Sequence, residues 1–141
     1  MRVRRVAYLV GSPGIPVRGP NGASAHVRHL ANALCEDHDT RVFASTLTDA
    51  QGAFGLPVPT IAAGAPAWPK WLDRYRDMIE VSAARRVANR VISSARHGWM
   101  PDVVIERHTL FSDAGWRVAD AINVPWVLEV NAPAVMERSR S

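Results

Sequence analysis

Short apolar runs alternate along the chain with longer segments of helical spacing. Residues 3–10, 40–46, 101–106 and 124–130 are mostly apolar or β-branched, and turn-forming residues follow the first and last of them. Runs of this kind are typical of strands that are buried on both faces of a sheet. Residues 57–63 predict one further, short strand at an edge of the sheet.

Helical segments separate these strands. Apolar residues recur at intervals of three and four within residues 25–37, 70–95 and 111–122, and we expect Ser24 to cap the first helix. His97 and Gly98 end the second helix. The order of strands and helices predicts an α/β fold, Rossmann-like, with three α/β/α layers and a mainly parallel sheet.

The composition fits one domain. The chain has 141 residues, of which 48% are hydrophobic, so it can bury one core but is too short for two full domains. No apolar run approaches the ~20 residues of a membrane span, and residues 6–10 are too few for a signal peptide. The single cysteine, Cys35, excludes a disulfide framework, so we expect a cytoplasmic protein.

A net charge of +4 raises the question of nucleic-acid binding. The basic residues are nearly all arginines, and they are scattered rather than interleaved with aromatic residues. We therefore expect a solvated basic surface and no nucleic-acid partner. Peripheral attraction to an anionic membrane stays open as an alternative.

Three loops follow carboxyl ends of predicted strands and should face one crevice: residues 11–22, residues 107–110, and the chain from residue 131. The first loop contains Gly11, Gly14 and Gly22 and leads into a helix, so its N–H groups could meet a phosphate or a sugar oxygen. It has neither a dinucleotide fingerprint nor a P-loop, and a turn that needs glycine explains it equally well.

Six polar residues lie in or beside these loops, namely His26, Glu106, Arg107, His108, Glu129 and Asn131. Charge at a strand end favours a binding site because burying it unpaired is costly, although a local pair of Glu106 with Arg107 is an equal alternative. We expect His26 to point at the glycine loop, and only one of Glu129 and Asn131 to face the crevice. His26 and His29 have no acidic or thiolate partner at fitting spacing, so we expect no metal.

The five tryptophans are candidates for sugar stacking, but most are expected in the core. Trp71 and Trp116 fall on predicted helices and Trp126 in a strand, while Trp68 and Trp99 lie near loops. The sequence also contains no motif of a serine hydrolase or a zinc protease.

Several segments together resemble family 4 glycosyltransferases, which have the GT-B fold. Residues 6–10, the glycine loop and residues 22–34 (GASAHVRHLANAL) are similar to the start of that family. Residues 101–107 (PDVVIER) resemble its P-D-V-V-x-x-R segment, and residues 124–133 (VPWVLEVNAP) its V-P-x-V-x-E-x-N-A-P ending. The resemblance spans nearly the whole chain in matching order.

The resemblance implies a retaining glycosyltransferase of hexosyltransferase type that needs neither a metal nor another cofactor. One GT-B half binds the acceptor and the other a nucleoside diphosphate sugar, and the leaving diphosphate assists front-face attack. No enzymic nucleophile is then expected. The residues implied to approach the donor diphosphate or sugar are Gly11, Gly14, Gly22 and Asn131. Those implied to bind the acceptor are His26, Glu106, Arg107, His108 and Glu129. Many relatives carry histidine where this chain has Asn131, which can bind a hydroxyl without acid–base chemistry.

By the same resemblance, residues 1–141 are an incomplete acceptor-side domain, and the donor-binding C-terminal domain is absent. Transfer would then require a longer chain or a partner subunit, and the exposed face between the halves predicts association or a homo-oligomer. Two alternatives stay open. The chain could be a stand-alone Rossmann-like module that binds a ligand or nucleotide without transferase activity, or a basic nucleic-acid binder whose affinity falls with salt.

Overall fold

The computed structural model describes residues 2–48, 55, 58–64 and 69–131. These residues form five strands: β1 Arg5–Val10, β2 Asp39–Ala44, β3 Thr60–Ala62, β4 Val103–Arg107 and β5 Trp126–Glu129. They also form three α-helices: α1 Gly22–Asp37, α2 Arg76–Arg96 and α3 Ala114–Ile122. A 3₁₀ helix, Lys70–Tyr75, leads into α2, so the predicted second helix changes type after its first turns.

All five strands are parallel, in the order β3-β2-β1-β4-β5. The chain therefore starts in the middle of the sheet. It extends the sheet first to one edge, through β2 and β3, and then to the other edge, through β4 and β5. The predicted Rossmann-like fold with a mainly parallel sheet is confirmed, and β3 is the short edge strand expected within residues 57–63.

Helices cover both faces of the sheet. In β1 successive side chains alternate between the faces, so Tyr8 and Val10 pack with Val27 of α1 in one core. Ala7 and Leu9 of the same strand face the other core, which α2 and α3 complete. A three-layer α/β/α arrangement results, and it puts the chain's apolar runs at its centre.

The first helix begins three residues earlier than predicted, because its cap is Asn21 and not Ser24. The Asn21 Oδ1 accepts hydrogen bonds from the Ser24 backbone N–H at 2.7 Å and from the Ser24 hydroxyl at 2.8 Å. An asparagine side chain in this position satisfies a helical N–H that otherwise lacks a partner. The prediction that Ser24 is the cap is therefore wrong.

The tryptophans are distributed differently from the prediction. Trp99, near a loop, is 5% exposed, and its indole N–H donates to Asp39 Oδ2 at 3.0 Å. Trp71, Trp116 and Trp126 are instead 72%, 51% and 39% exposed. Occurrence in a helix or strand does not by itself bury a side chain, because each element also has an outward face. Trp68 lies outside the described residues.

Strand β5 leaves much of its apolar surface open. Besides Trp126, both Val127 and Leu128 are exposed, at 50% and 41%. They lie on opposite faces of a strand that pairs only with β4 among the described residues. No helix within the described ranges is both long and apolar enough to cross a membrane.

Candidate functional site

Polar side chains from β1, β4, β5 and α1 meet around the Glu129 carboxylate. The Tyr8 hydroxyl donates to Glu129 Oε2 at 2.6 Å. Glu129 Oε1 lies 2.7 Å from His26 Nε2, 2.6 Å from Asn131 Nδ2 and 3.2 Å from Arg107 Nη1. These residues form the Glu129 cluster, defined as Tyr8, His26, Arg107, Glu129 and Asn131.

Strand register explains how the sheet assembles this cluster. Arg107 lies opposite Val10 of β1 on one side and opposite Glu129 of β5 on the other. Tyr8 is two residues before Val10, so alternation directs it to the same face of the sheet. His26 comes from the start of α1, which covers that face. Glu129 therefore meets groups as far as 121 residues away in the chain.

The surroundings of Glu129 keep it ionised. Partial burial alone would raise its pKa, but hydrogen bonds from Tyr8, Asn131 and His26 and the charge of Arg107 outweigh burial and lower the pKa. Burial and the bond to Glu129 raise the pKa of Tyr8 far above its usual value. The cluster thus holds a carboxylate and a neutral phenol.

The cluster is buried at its base and open at its rim. Tyr8 has no exposed surface, and the side chains of Arg107 and Glu129 are 11% and 15% exposed. The side chain of His26 is 49% exposed, so a ligand at the carboxyl edge would meet this imidazole. Because Glu129 is shared by several donors, its nucleophilicity is reduced, and the arrangement suits hydrogen bonding to hydroxyl groups better than covalent catalysis.

Glu106 lies on the other face of the sheet, separate from the Glu129 cluster. It is 2% exposed and accepts hydrogen bonds from the Ser112 hydroxyl at 2.8 Å and the Gly115 N–H at 3.0 Å. Burial raises its pKa, and the donors Ser112, Gly115 and Trp126 only partly offset that effect. Glu106 therefore ties the start of α3 to β4. The alternative of a local pair with Arg107 fails because neighbouring strand residues point to opposite faces.

Two expectations about side-chain direction are wrong. His26 contacts Glu129 at the end of β5 instead of pointing at the glycine loop. Asn131 and Glu129 lie together, although we expected only one of them to face the crevice. Residues two positions apart on extended backbone project to the same side, which the expectation overlooked. The backbone N–H of His108 donates to the Glu129 carbonyl at 2.9 Å, and its imidazole acts electrostatically on Glu106.

The glycine loop is held firmly by its neighbours. A Cβ at Gly11 would lie 2.8 Å from the Ala84 Cβ, so glycine is needed there for the close approach of β1 to α2. Gly22 has open space, and Gly14 meets only the Ser12 hydroxyl, at 3.6 Å. Arg28 Nη1 donates to the Gly19 carbonyl at 2.6 Å and so fastens the loop to α1.

Tyr8 is the member of the cluster that the sequence analysis missed. It is embedded in an apolar strand and so looks like an ordinary core residue. The available signal was its hydroxyl, because a buried tyrosine usually needs a hydrogen-bond partner. Among the described residues there is no group of three or more His, Cys, Asp or Glu side chains able to hold a metal.

No family model matches the chain, and no curated protein matches it either. Among solved structures, the chain is similar to the glycosyltransferase SnogD from Streptomyces nogalater, with a TM-score of 0.62 and 20% identity. The match covers 99% of this chain and 40% of SnogD. The C-terminal domain of a hydrogenase from Pyrococcus furiosus is also similar, with a TM-score of 0.59, 14% identity, and coverage of 89% of this chain and 91% of that domain.

Proposed function

We propose that this chain is the acceptor-side half of a retaining glycosyltransferase, which moves a sugar from a nucleoside diphosphate sugar to an acceptor hydroxyl. The observation that carries the proposal is the Glu129 cluster at the carboxyl edge of the sheet, where ligands of such folds gather. The fold shared with SnogD supports it. This chain spans 40% of SnogD's length, which is consistent with a second half holding the donor.

Within this proposal the cluster binds hydroxyl groups. The His26 imidazole and the Arg107 guanidinium would contact the acceptor, and the Asn131 amide would contact the donor sugar. Glu129 and Tyr8 act as positioning residues because their polar atoms are already engaged with each other. Glu106 orients the loop that carries His108 by holding Ser112 and Gly115.

The proposed transfer needs no enzymic nucleophile. The acceptor oxygen forms its bond to the anomeric carbon on the face from which the diphosphate leaves, and the acceptor proton passes to the departing diphosphate. The backbone around Gly14 and Gly22 would approach that diphosphate, with Gly11 beside it, because a Cβ would meet nothing within 4 Å at Gly22 and only the Ser12 hydroxyl at Gly14.

The donor half would come from further chain or from a partner subunit, and no cofactor is required. Exposed apolar residues of β5 support association, because α/β sheets normally cover such strands. A cytoplasmic setting is part of the proposal, supported by the single cysteine.

An NMR titration tests the acceptor site in the isolated chain. Methyl α-glucoside, UDP-glucose and GDP-mannose are added separately to ¹⁵N-labelled protein. We expect sugar-dependent shifts at His26, Arg107 and Asn131 with weak, millimolar affinity, and no transfer without a donor half. His26→Ala should abolish these shifts. His29→Ala, a surface histidine one helical turn away, is the matched control. Shifts that avoid the cluster, or that survive His26→Ala, would refute the proposal.

A stand-alone binding module is the second candidate, because the similar hydrogenase domain has this fold in a protein that is not named as a glycosyltransferase. That domain has nearly the same extent as this chain. A module that binds nucleotide should bind UMP, GMP or AMP with micromolar affinity in the absence of any sugar. The same titration with these nucleotides therefore separates the two candidates.

A further inference from the structure

A groove on the outer side of α2 lies apart from the Glu129 cluster. Its volume is about 570 Å³, and its lining includes Asp77, Met78, Val81, Arg85, Arg86 and Phe111. We call it the α2 groove. Ala84 of α2 contacts the site of Gly11 at the end of β1, and the Thr109 hydroxyl lies near the same point. The groove thus flanks the carboxyl edge of the sheet, on the face opposite the cluster.

Helical spacing forms the wall of the groove. Met78, Val81 and Arg85 follow one another at intervals of three and four, so they share one side of α2. The neighbouring side, with Ala83, Val87 and Val91, is buried against the sheet. Met78 is 69% exposed, so α2 presents apolar surface to solvent beside its polar residues.

Phe111 closes the groove from the loop between β4 and α3, and its backbone is strained. The Ser112 N–H donates to the Thr109 carbonyl at 3.0 Å, so Leu110 and Phe111 are the central residues of a turn. Phe111 has φ of 61°, a conformation that favours glycine or asparagine there. Its side chain is 68% exposed, so burial does not compensate for the strain. Strained residues that their own packing does not explain are concentrated at binding sites.

The charged side chains of the lining determine which ligands the groove favours. Arg85 Nε forms a salt bridge with Asp113 Oδ1 at 3.7 Å, whereas Arg86 has no ion pair with any described residue. Asp77 is the acidic residue of the lining, and it lies nine residues before Arg86 along α2, so the two charges are at different ends of the groove. The groove therefore combines an apolar wall with a positive charge at one end, that of Arg86.

We propose that the α2 groove binds a small amphipathic anion, with a planar apolar body against Phe111, Met78 and Val81 and its acidic group against Arg86. Phe111 is the specificity residue for the apolar body, and Arg86 for the charge. The proposal goes beyond the glycosyltransferase function and does not depend on it, because none of these residues belongs to the Glu129 cluster.

Two matched dyes test the proposal by fluorescence titration of the whole chain. They are 8-anilinonaphthalene-1-sulfonate and N-phenyl-1-naphthylamine, which lacks the sulfonate. We expect saturable binding of the sulfonate, about tenfold tighter than that of the neutral dye, since one favourable charge contact is worth about that factor. Added salt should weaken only the anionic dye.

Phe111→Gly separates a binding role from a structural one. Glycine adopts positive φ without strain, so the thermal midpoint should stay constant or rise, while the affinity for both dyes falls about tenfold. Arg86→Gln should weaken only the sulfonate, and Arg96→Gln, at the far end of α2, should change neither. The proposal is overturned if Phe111→Gly binds like the wild type or melts at a lower temperature. Equal effects of the two arginine variants would overturn it too.

Discussion

Tyr8 and Glu129 are joined by a 2.6 Å hydrogen bond although 121 residues separate them in the chain. Tyr8 lies in the central strand, with no exposed surface, and Glu129 ends an edge strand. This bond occupies Oε2 of the carboxylate and leaves Oε1 to His26, Arg107 and Asn131. The core tyrosine therefore sets the direction of a carboxylate that organises the polar crevice.

Replacing Tyr8 by Phe should destabilise the protein by about 1–2 kcal/mol, because the variant removes a partly buried hydrogen bond to a charged acceptor and keeps the ring. Urea unfolding followed by circular dichroism measures this. Tyr75→Phe is the control, since Tyr75 is 41% exposed and should cost almost nothing. Equal stability of the two variants would mean that the Tyr8 hydroxyl contributes nothing.

Glu129→Gln should lower the free energy of unfolding by roughly 1–2 kcal/mol at neutral pH, because the amide loses charge-assisted hydrogen bonds from several donors. The folded pKa of Glu129 is lowered. Its contribution is therefore present above the unfolded pKa of about 4.3 and is lost as pH falls through the folded pKa. The cost should shrink in urea titrations below pH 4. Asp120→Asn, on the exposed side of α3, should show no such trend.

Glu106→Gln should show the opposite dependence on pH. The folded pKa of Glu106 is raised by burial, so the wild type loses stability as pH rises from the unfolded pKa, about 4.3, through the folded one. Glutamine stays neutral and can still bond to Ser112 and Gly115. The variant should therefore gain stability relative to the wild type as pH rises from about 4 to about 7. If urea unfolding shows that the variant loses stability relative to the wild type over that range, the pKa of Glu106 is not raised in the folded protein.

Gly115→Ala should destabilise the protein by about 1–3 kcal/mol through overpacking. A Cβ there would overlap the Trp126 indole and lie 2.5 Å from Glu106 Oε2. Gly22→Ala is the matched substitution, because nothing lies within 4 Å of a Cβ at the first residue of α1. It should be neutral or stabilising. The midpoints of thermal unfolding of the two variants are compared. Equal midpoints would contradict the close packing around Gly115.

Asn21→Ala should lower the free energy of unfolding by about 1 kcal/mol, because α1 loses its N-cap. Asn32→Ala, at an exposed position within the same helix, should have a much smaller effect. Chemical unfolding of the pair tests whether Asn21 is the cap. If Asn32→Ala were the more damaging of the two, the capping role would be wrong.

The proposed acceptor site rests partly on segments that the sequence reveals and partly on contacts that only the structure reveals. The glycine loop and the residues that follow β4 and β5 were evident from the sequence, because polar and glycine-rich segments interrupt apolar runs. Which of these residues meet was not evident. Glu106 and Arg107 are adjacent in the chain, yet the pleat sends them to different faces, where one holds α3 and the other joins the Glu129 cluster.

The sequence by itself determined the order of strands and helices, the parallel sheet and the short edge strand, because these follow from local periodicity and from connection lengths. Only the tertiary structure decided that Tyr8, His26 and Glu129 form one cluster, that Asn21 caps α1, and that a strained Phe111 borders a groove. Such contacts depend on strand order, register and the direction of each side chain. Those are set by packing between segments up to 121 residues apart, which no local pattern encodes.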